Sequence, residues 1–127
     1  MKKVISIFLT LLLTCLLCAC GEMTMEQYVE DNKAVFETIC ESQSNDDCTV
    51  EILGKDNSLV LKAVMQMEIE DNLLDAVVDT LKLSTEENKD VYIEMLENAR
   101  EEVPSAESII IEYYDINEKL IYSEEFK

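Results

Sequence analysis

From Val4 to Leu17 the chain is apolar apart from a few Ser and Thr hydroxyls, and beyond Glu22 it turns to short apolar patterns set among acids. The second regime reads as folded elements. Tyr28, Val29, Val35, Phe36, Ile39 and Cys40 recur on one helical face, and Thr24 with Gln27 has capping-box spacing, so a first helix is predicted over 25–42. The cluster Ser42-Gln43-Ser44-Asn45-Asp46-Asp47 ends it as a loop. Two strand-type runs follow, 49–53 and 59–67, around the turn chemistry of Gly54-Lys55-Asp56-Asn57-Ser58. In the second run Leu59, Leu61, Ala63, Met65 and Met67 alternate with Lys62 and Gln66, as in a sheet with one wet face.

Leu73, Leu74, Val77, Val78 and Leu81 form an amphipathic stripe for a short second helix. Ser84 with Glu87 reads as another capping box, and Val91, Met95, Leu96, Ala99 and Val103 carry a third helix up to Pro104. The chain closes with strand-type runs 108–114 and 119–126 around Asp115-Ile116-Asn117-Glu118, a second hairpin. The segment 51–61 aligns without gaps to 112–122, with a capped helix before each. The predicted fold class is therefore α+β: two helix-plus-hairpin units forming a four-stranded antiparallel sheet with helices packed on one face. The α+β class does not depend on the repeat.

The first regime reads as an export signal. Lys2 and Lys3 make a charged start, and the apolar run behind them has signal-peptide rather than membrane-spanning length. Leu17-Cys18-Ala19-Cys20-Gly21 has the order of a bacterial lipoprotein signal, with an aliphatic residue three before Cys20 and a small one just before it. An ordinary secretory signal with an incidental cysteine is the alternative. The expected organisation is a signal peptide at 1–19, a lipidated Cys20 with a short linker at 20–24, and a single α+β domain at 25–127. Lipid on Cys20 would hold the protein to the extracytoplasmic face of the cell membrane.

Charge narrows the partners. The chain carries 28 acidic and 10 basic residues, and cleavage before Cys20 removes Lys2 and Lys3, leaving a net of −20. Such a surface with no basic cluster excludes nucleic acid as a partner. It would also stand off anionic headgroups within a Debye length of about 8 Å. With no histidine in the chain, Ser/His/Asp and Cys/His triads and the usual zinc sites are out. Paired acids such as Asp46-Asp47, Glu86-Glu87, Glu101-Glu102 and Glu124-Glu125 read as solvated surface, so no catalytic residue is assigned. The loops at Asp46-Asp47, Asp56-Asn57 and Glu70-Asp71-Asn72 lack the spacing of an EF-hand, so no metal site and no cofactor is assigned.

Cys40 and Cys48 flank seven loop residues between the first helix and first strand, where a disulfide would staple helix to sheet and constrain the unfolded chain by roughly 2 to 3 kcal/mol. Two unpaired thiols, with Cys40 a core residue, is the alternative. Tyr113, Tyr114, Tyr122 and Phe126 gather on the last hairpin, where packing under the helices is expected and an exposed binding face is the other reading.

The ordered set Met25-Glu26-Gln27-Tyr28, Val50-Glu51-Ile52, Asp56-Asn57-Ser58-Leu59-Val60, Ile111-Glu112-Tyr113-Tyr114-Asp115 and Ile121-Tyr122-Ser123-Glu124-Glu125-Phe126 resembles a family of small uncharacterised lipoproteins from anaerobic Gram-positive bacteria, defined as a domain of unknown function. The resemblance implies a single α+β domain behind a lipoprotein or secretory signal and brings no catalytic residues. The expected function is a non-enzymatic, membrane-anchored extracytoplasmic domain that binds an envelope protein or other envelope component. A cation-responsive module, in which calcium or magnesium neutralises the acidic surface, is the second expectation.

Overall fold

The computed structural model describes residues 22–127, so the predicted signal segment and Cys20 lie outside the described residues. Four helices and four strands follow in the order α1 (Met25–Asp31), α2 (Lys33–Gln43), β1 (Cys48–Lys55), β2 (Ser58–Met65), α3 (Leu74–Glu87), α4 (Lys89–Glu102), β3 (Ser108–Tyr114) and β4 (Leu120–Phe126). The α+β class holds.

The first capping box forms as its spacing requires. Gln27 N donates to Thr24 Oγ1 at 3.2 Å and Thr24 N donates to Gln27 Oε1 at 3.0 Å. The helix expected over 25–42 is, however, broken at Asn32, whose φ of −103° and ψ of 17° leave the helical region. Asn32 Nδ2 donates back to the Tyr28 carbonyl at 2.9 Å, the side-chain competition with the backbone that makes Asn a helix breaker. The break matters for packing. Eight residues of unbroken helix would turn Phe36 about 80° from Tyr28, whereas here their rings meet edge to face at 5.8 Å.

Asn88 repeats the device between α3 and α4, with φ −98°, ψ 6° and Nδ2 donating to the Ser84 carbonyl at 2.8 Å. The third helix therefore does not start at a Ser84 cap. Ser84 lies within α3, and the buried Thr85 donates Oγ1–H to Leu81 O at 2.7 Å as the helical ladder continues.

The sheet has the order β1-β2-β3-β4, with β1–β2 and β3–β4 antiparallel and β2–β3 parallel. It is thus mixed, not the all-antiparallel sheet expected. The reason lies in the connection. A lone Asn88 between α3 and α4 leaves no loop to reverse the chain. The pair starts near the Asp115–Lys119 turn, where Asp71 meets Lys119 at 3.5 Å, and ends where Glu107 N donates to Asn57 O at 2.7 Å. One net traverse of the sheet delivers a parallel strand. Because β1 and β3 consequently run in opposite directions, the second hairpin is not a copy of the first shifted along the sheet.

Both hairpin turns use a non-glycine residue at positive φ. The strands extend to Lys55 and Ser58, leaving only Asp56 and Asn57 between them, with Asp56 at φ 53°. In the second turn Glu118 is at φ 61°, and the buried Asp115 Oδ1 accepts from Asn117 N and Lys119 N at 2.9 and 3.0 Å.

Ile52, Leu59, Ile109, Ile111 and Phe126, which share one side of the sheet by register, join Met25, Tyr28, Phe36, Leu96, Ala99 and Val103 in one core. Each fully buried Leu or Ile contributes about 1.5–3 kcal/mol. The core gathers at the end of the sheet holding Gly54, Leu59, Ile109 and Phe126. The eight described elements and this core are all supplied by residues 22–127.

Candidate functional site

The helices distribute unevenly over the strands. α1 and α2 pack chiefly on β1, α3 on β4, and α4 on β3 and β4. No helix takes β2 as its main partner, so a groove of about 390 Å³ remains over the lower half of the sheet. Val50, Leu61, Ala63 and Ile111 form its floor, and Ile39, Val91 and Met95 stand along its walls. Gln43, Cys48, Ser84, Asn88, Tyr92 and Tyr113 supply its polar atoms, and no charged residue lines it. That neutrality stands out in a chain with 30% charged residues. A second hollow, about 380 Å³ on the outer side of α2, opens more widely and has Glu30, Lys33, Glu37 and Glu51 on its walls. It is a charged surface trough, and the groove over β2 is the better-formed cavity.

Stacked aromatics hold the groove's polar wall. Tyr92 lies over Phe126 at 5.9 Å and Tyr113 over Tyr122 at 6.4 Å, each pair nearly parallel. The Thr85 hydroxyl reaches that of Tyr113 at 3.4 Å. Burial above all, then the charge and hydrogen bonding of the neighbouring Tyr113 hydroxyl, push the Tyr92 phenol up to about 12. A phenol so held is neutral in all ordinary conditions.

The residues singled out from sequence do not converge here. Cys48 lines the groove, while Cys40 lines the outer trough. Both thiols are free and half-buried. Cys40 packs against the core that contains Ile52, four residues along β1 from Cys48. Burial pushes both thiols up, and at Cys40 the carboxylates of Glu51 and Glu37 add to this while the Ile52 backbone opposes it. Tyr113, packed against the core, pairs with Tyr122 across β3 and β4, and Phe126 is buried. Tyr114 takes the opposite side, under Lys62 Nζ at 5.0 Å and bonded to Glu112. Among the described residues, no three Cys, Asp or Glu side chains come together as a metal ion would require.

A sequence profile built on related chains matches residues 23–126 and is described as a domain of unknown function (DUF4854). The chain belongs to that family. No curated protein matches the chain, and no solved structure does. Within this DUF4854 domain, the sequence pattern missed Asn88, Tyr92 and Thr85 as site residues. A threonine near the end of an otherwise exposed helix was the available signal, because a buried Thr hydroxyl needs a partner. That partner, Tyr113, lies 28 residues further along.

Proposed function

We propose that this protein is a non-enzymatic, lipid-anchored extracytoplasmic domain that binds an envelope component in the groove over β2. The observation carrying this reading is an uncharged cavity floored by Val50, Leu61, Ala63 and Ile111 in a domain of net charge −20. Cavities of about 300–1,000 Å³ with apolar floors and a few fixed polar groups are where ligands bind. A nucleophile reading finds little support. Cys48, the thiol in the groove, is pushed up by burial, away from the thiolate that chemistry would need.

A two-layer arrangement is part of the proposal, with all helices over one face. Its support is that Met65, Tyr113 and Ile52, which contact α3, α4 or the α1–α2 pair, alternate to the same side of the sheet. The tether fits as well. The chain enters at Met25, against Gly54. The groove lies toward Cys48, about 20 Å down β1, so an anchor at Cys20 leaves it facing away from the membrane.

Crosslinking on intact cells, comparing the tagged protein with its Cys20→Ala form, tests this. A component captured by the anchored form, and lost when Ala63→Leu fills the groove floor, is the expected result. Membrane-anchored, fully processed Cys20→Ala protein would remove the lipid-anchor part of the reading. Capture unaffected by Ala63→Leu would move binding elsewhere.

A further inference from the structure

An amphipathic helix draws its stability from packing its apolar face, and α3 does so only in part. Thr85 is its one buried residue. Leu74, Val77, Val78 and Leu81 stay half-buried, and Leu73 and Leu83 are more than half exposed. Leu73, Ala76, Val77, Thr80 and Leu81 line a trough of about 340 Å³ against Met65 of β2. Their spacing is i, i+3, i+4, i+7 and i+8, the stripe along which one helix receives another, and it runs for about 12 Å. Thr80 donates its hydroxyl proton to the Ala76 carbonyl at 2.9 Å, so the seam asks for no donor or acceptor from what lies on it. α1 and α2 pack chiefly on β1, and α4 on β3 and β4, which leaves the seam open among the described residues.

The surroundings of the seam are acidic. Glu68, Glu70, Asp71, Asp75 and Asp79 are all exposed, and Lys82 is the one basic residue between 66 and 88. Lys119, reaching in from the second turn, is paired with Asp71 at 3.5 Å. Asp75 and Asp79 each precede a small seam residue, Ala76 and Thr80, so they stand one turn apart along one side of the stripe. Two residues beyond Met65, Met67 accepts the Ile116 N–H at 3.1 Å, and both of these side chains are at least half exposed. Methionine adapts readily to the shape of an incoming apolar surface.

We propose that α3 is a docking seam for a basic amphipathic helix of a partner protein, its apolar stripe laid in the trough over Leu73, Val77 and Leu81 and its Lys or Arg side chains against Asp75 and Asp79. This is helix-in-groove recognition, with charge complementarity choosing the partner. It uses no lining residue of the groove over β2 and stands independently of that reading. A second copy of α3 would set acid against acid along the seam.

The test uses the full chain in phosphatidylcholine nanodiscs, with empty discs as the blank and isotope-labelled methionine methyl groups read by NMR. Met65 reports the seam and Met95 the groove. The probe is a two-heptad peptide repeating Leu-Lys-Lys-Leu-Leu-Lys-Leu, compared with the same peptide carrying Glu for every Lys. The Lys peptide is expected to move the Met65 and Met67 signals and leave Met95 in place, and the Glu peptide to bind at least about tenfold more weakly. Reversing both exposed acids, Asp75→Lys with Asp79→Lys, is expected to make the Glu peptide the tighter binder, an effect that fades with salt. Ala76→Arg, at an exposed position where Arg suits a helix, fills the seam and is expected to weaken the Lys peptide about tenfold. Met65 and Met67 signals unmoved by the Lys peptide, or a Met95 shift in their place, would overturn the seam. A preference unchanged by the charge reversal would overturn the basic partner, and a dimer formed through α3 without peptide would give the seam to a second copy instead.

Discussion

Gly54 of β1 lies flat against Met25, the first residue of α1. A Cβ added there would sit 2.5 Å from the Met25 carbonyl carbon and 2.6 Å from the Glu26 nitrogen. Neither atom is a side-chain end that swings away, so Gly54→Ala must push α1 off the strand. The expected cost is about 2 kcal/mol, the scale of overpacking in a close-packed interior, read as a lower denaturation midpoint with unchanged slope. A change under about 0.5 kcal/mol would mean that α1 is not seated on β1 in solution.

What the pattern of apolar residues reveals, and what it hides, follows from the range of the forces involved. The Thr24–Gln27 box and both hairpins are local, and each appears where the spacing demands it, whereas the one-wet-face alternation expected over 59–67 does not hold: Val60 is buried opposite Leu59, and Met67 lies beyond the end of β2 and is exposed. The breaks at Asn32 and Asn88 are local too, but an apolar stripe reads straight through them because it continues on both sides. Missing the one at Asn88 hid the parallel pairing of β2 with β3, since strand direction depends on whether two successive helices fold back or run on. The groove was less legible still. Its floor comes from three strands and its walls from α2, α3 and α4, and an uncovered strand leaves no mark in the residues of that strand.

Thr85 tests whether its buried hydroxyl is held by hydrogen bonds. Replacing it with the isosteric Val keeps the volume but removes the hydroxyl that donates to the Leu81 carbonyl at 2.7 Å and reaches the Tyr113 hydroxyl at 3.4 Å. In a fully buried position this is expected to cost about 1–3 kcal/mol, with Thr85→Ser costing clearly less. Equal losses in both variants would assign Thr85 a packing role alone.

Cys40 and Cys48 should report as two free, slow thiols. Both are raised by burial, so less thiolate is present at a given pH and alkylation of residues 22–127 should lag behind that of a cysteine peptide. A bridge would require Cys40 to leave its packing against the core. Mass measured before and after reduction is expected to be the same for air-exposed protein. A two-proton difference would show that the α2–β1 junction rearranges to pair them.

The acidic surface should respond to salt without distinguishing ions. With no convergence of three ligands among the described residues, calcium and sodium at matched ionic strength are expected to raise the thermal midpoint equally by screening. A midpoint that climbs with calcium alone would follow the mass-action form of specific binding and would favour the cation-responsive module.

High pH should destabilise the fold partly through the buried Tyr92 phenol. Tyr92 is held at about 12, against an ordinary 10.0, mainly by burial. A folded-state pKa raised above the unfolded one contributes stability that is complete below about pH 10. That contribution is lost as the pH rises through about 12, because the unfolded chain releases the proton first. Stability is therefore expected to be insensitive to Tyr92 up to the ordinary phenol range and to fall steeply above it. Tyr92→Phe has no proton to release and should show a shallower fall over that interval. Denaturant midpoints measured against pH for the two proteins make the comparison. Parallel curves would mean that Tyr92 is open to water and that burial does not hold its phenol.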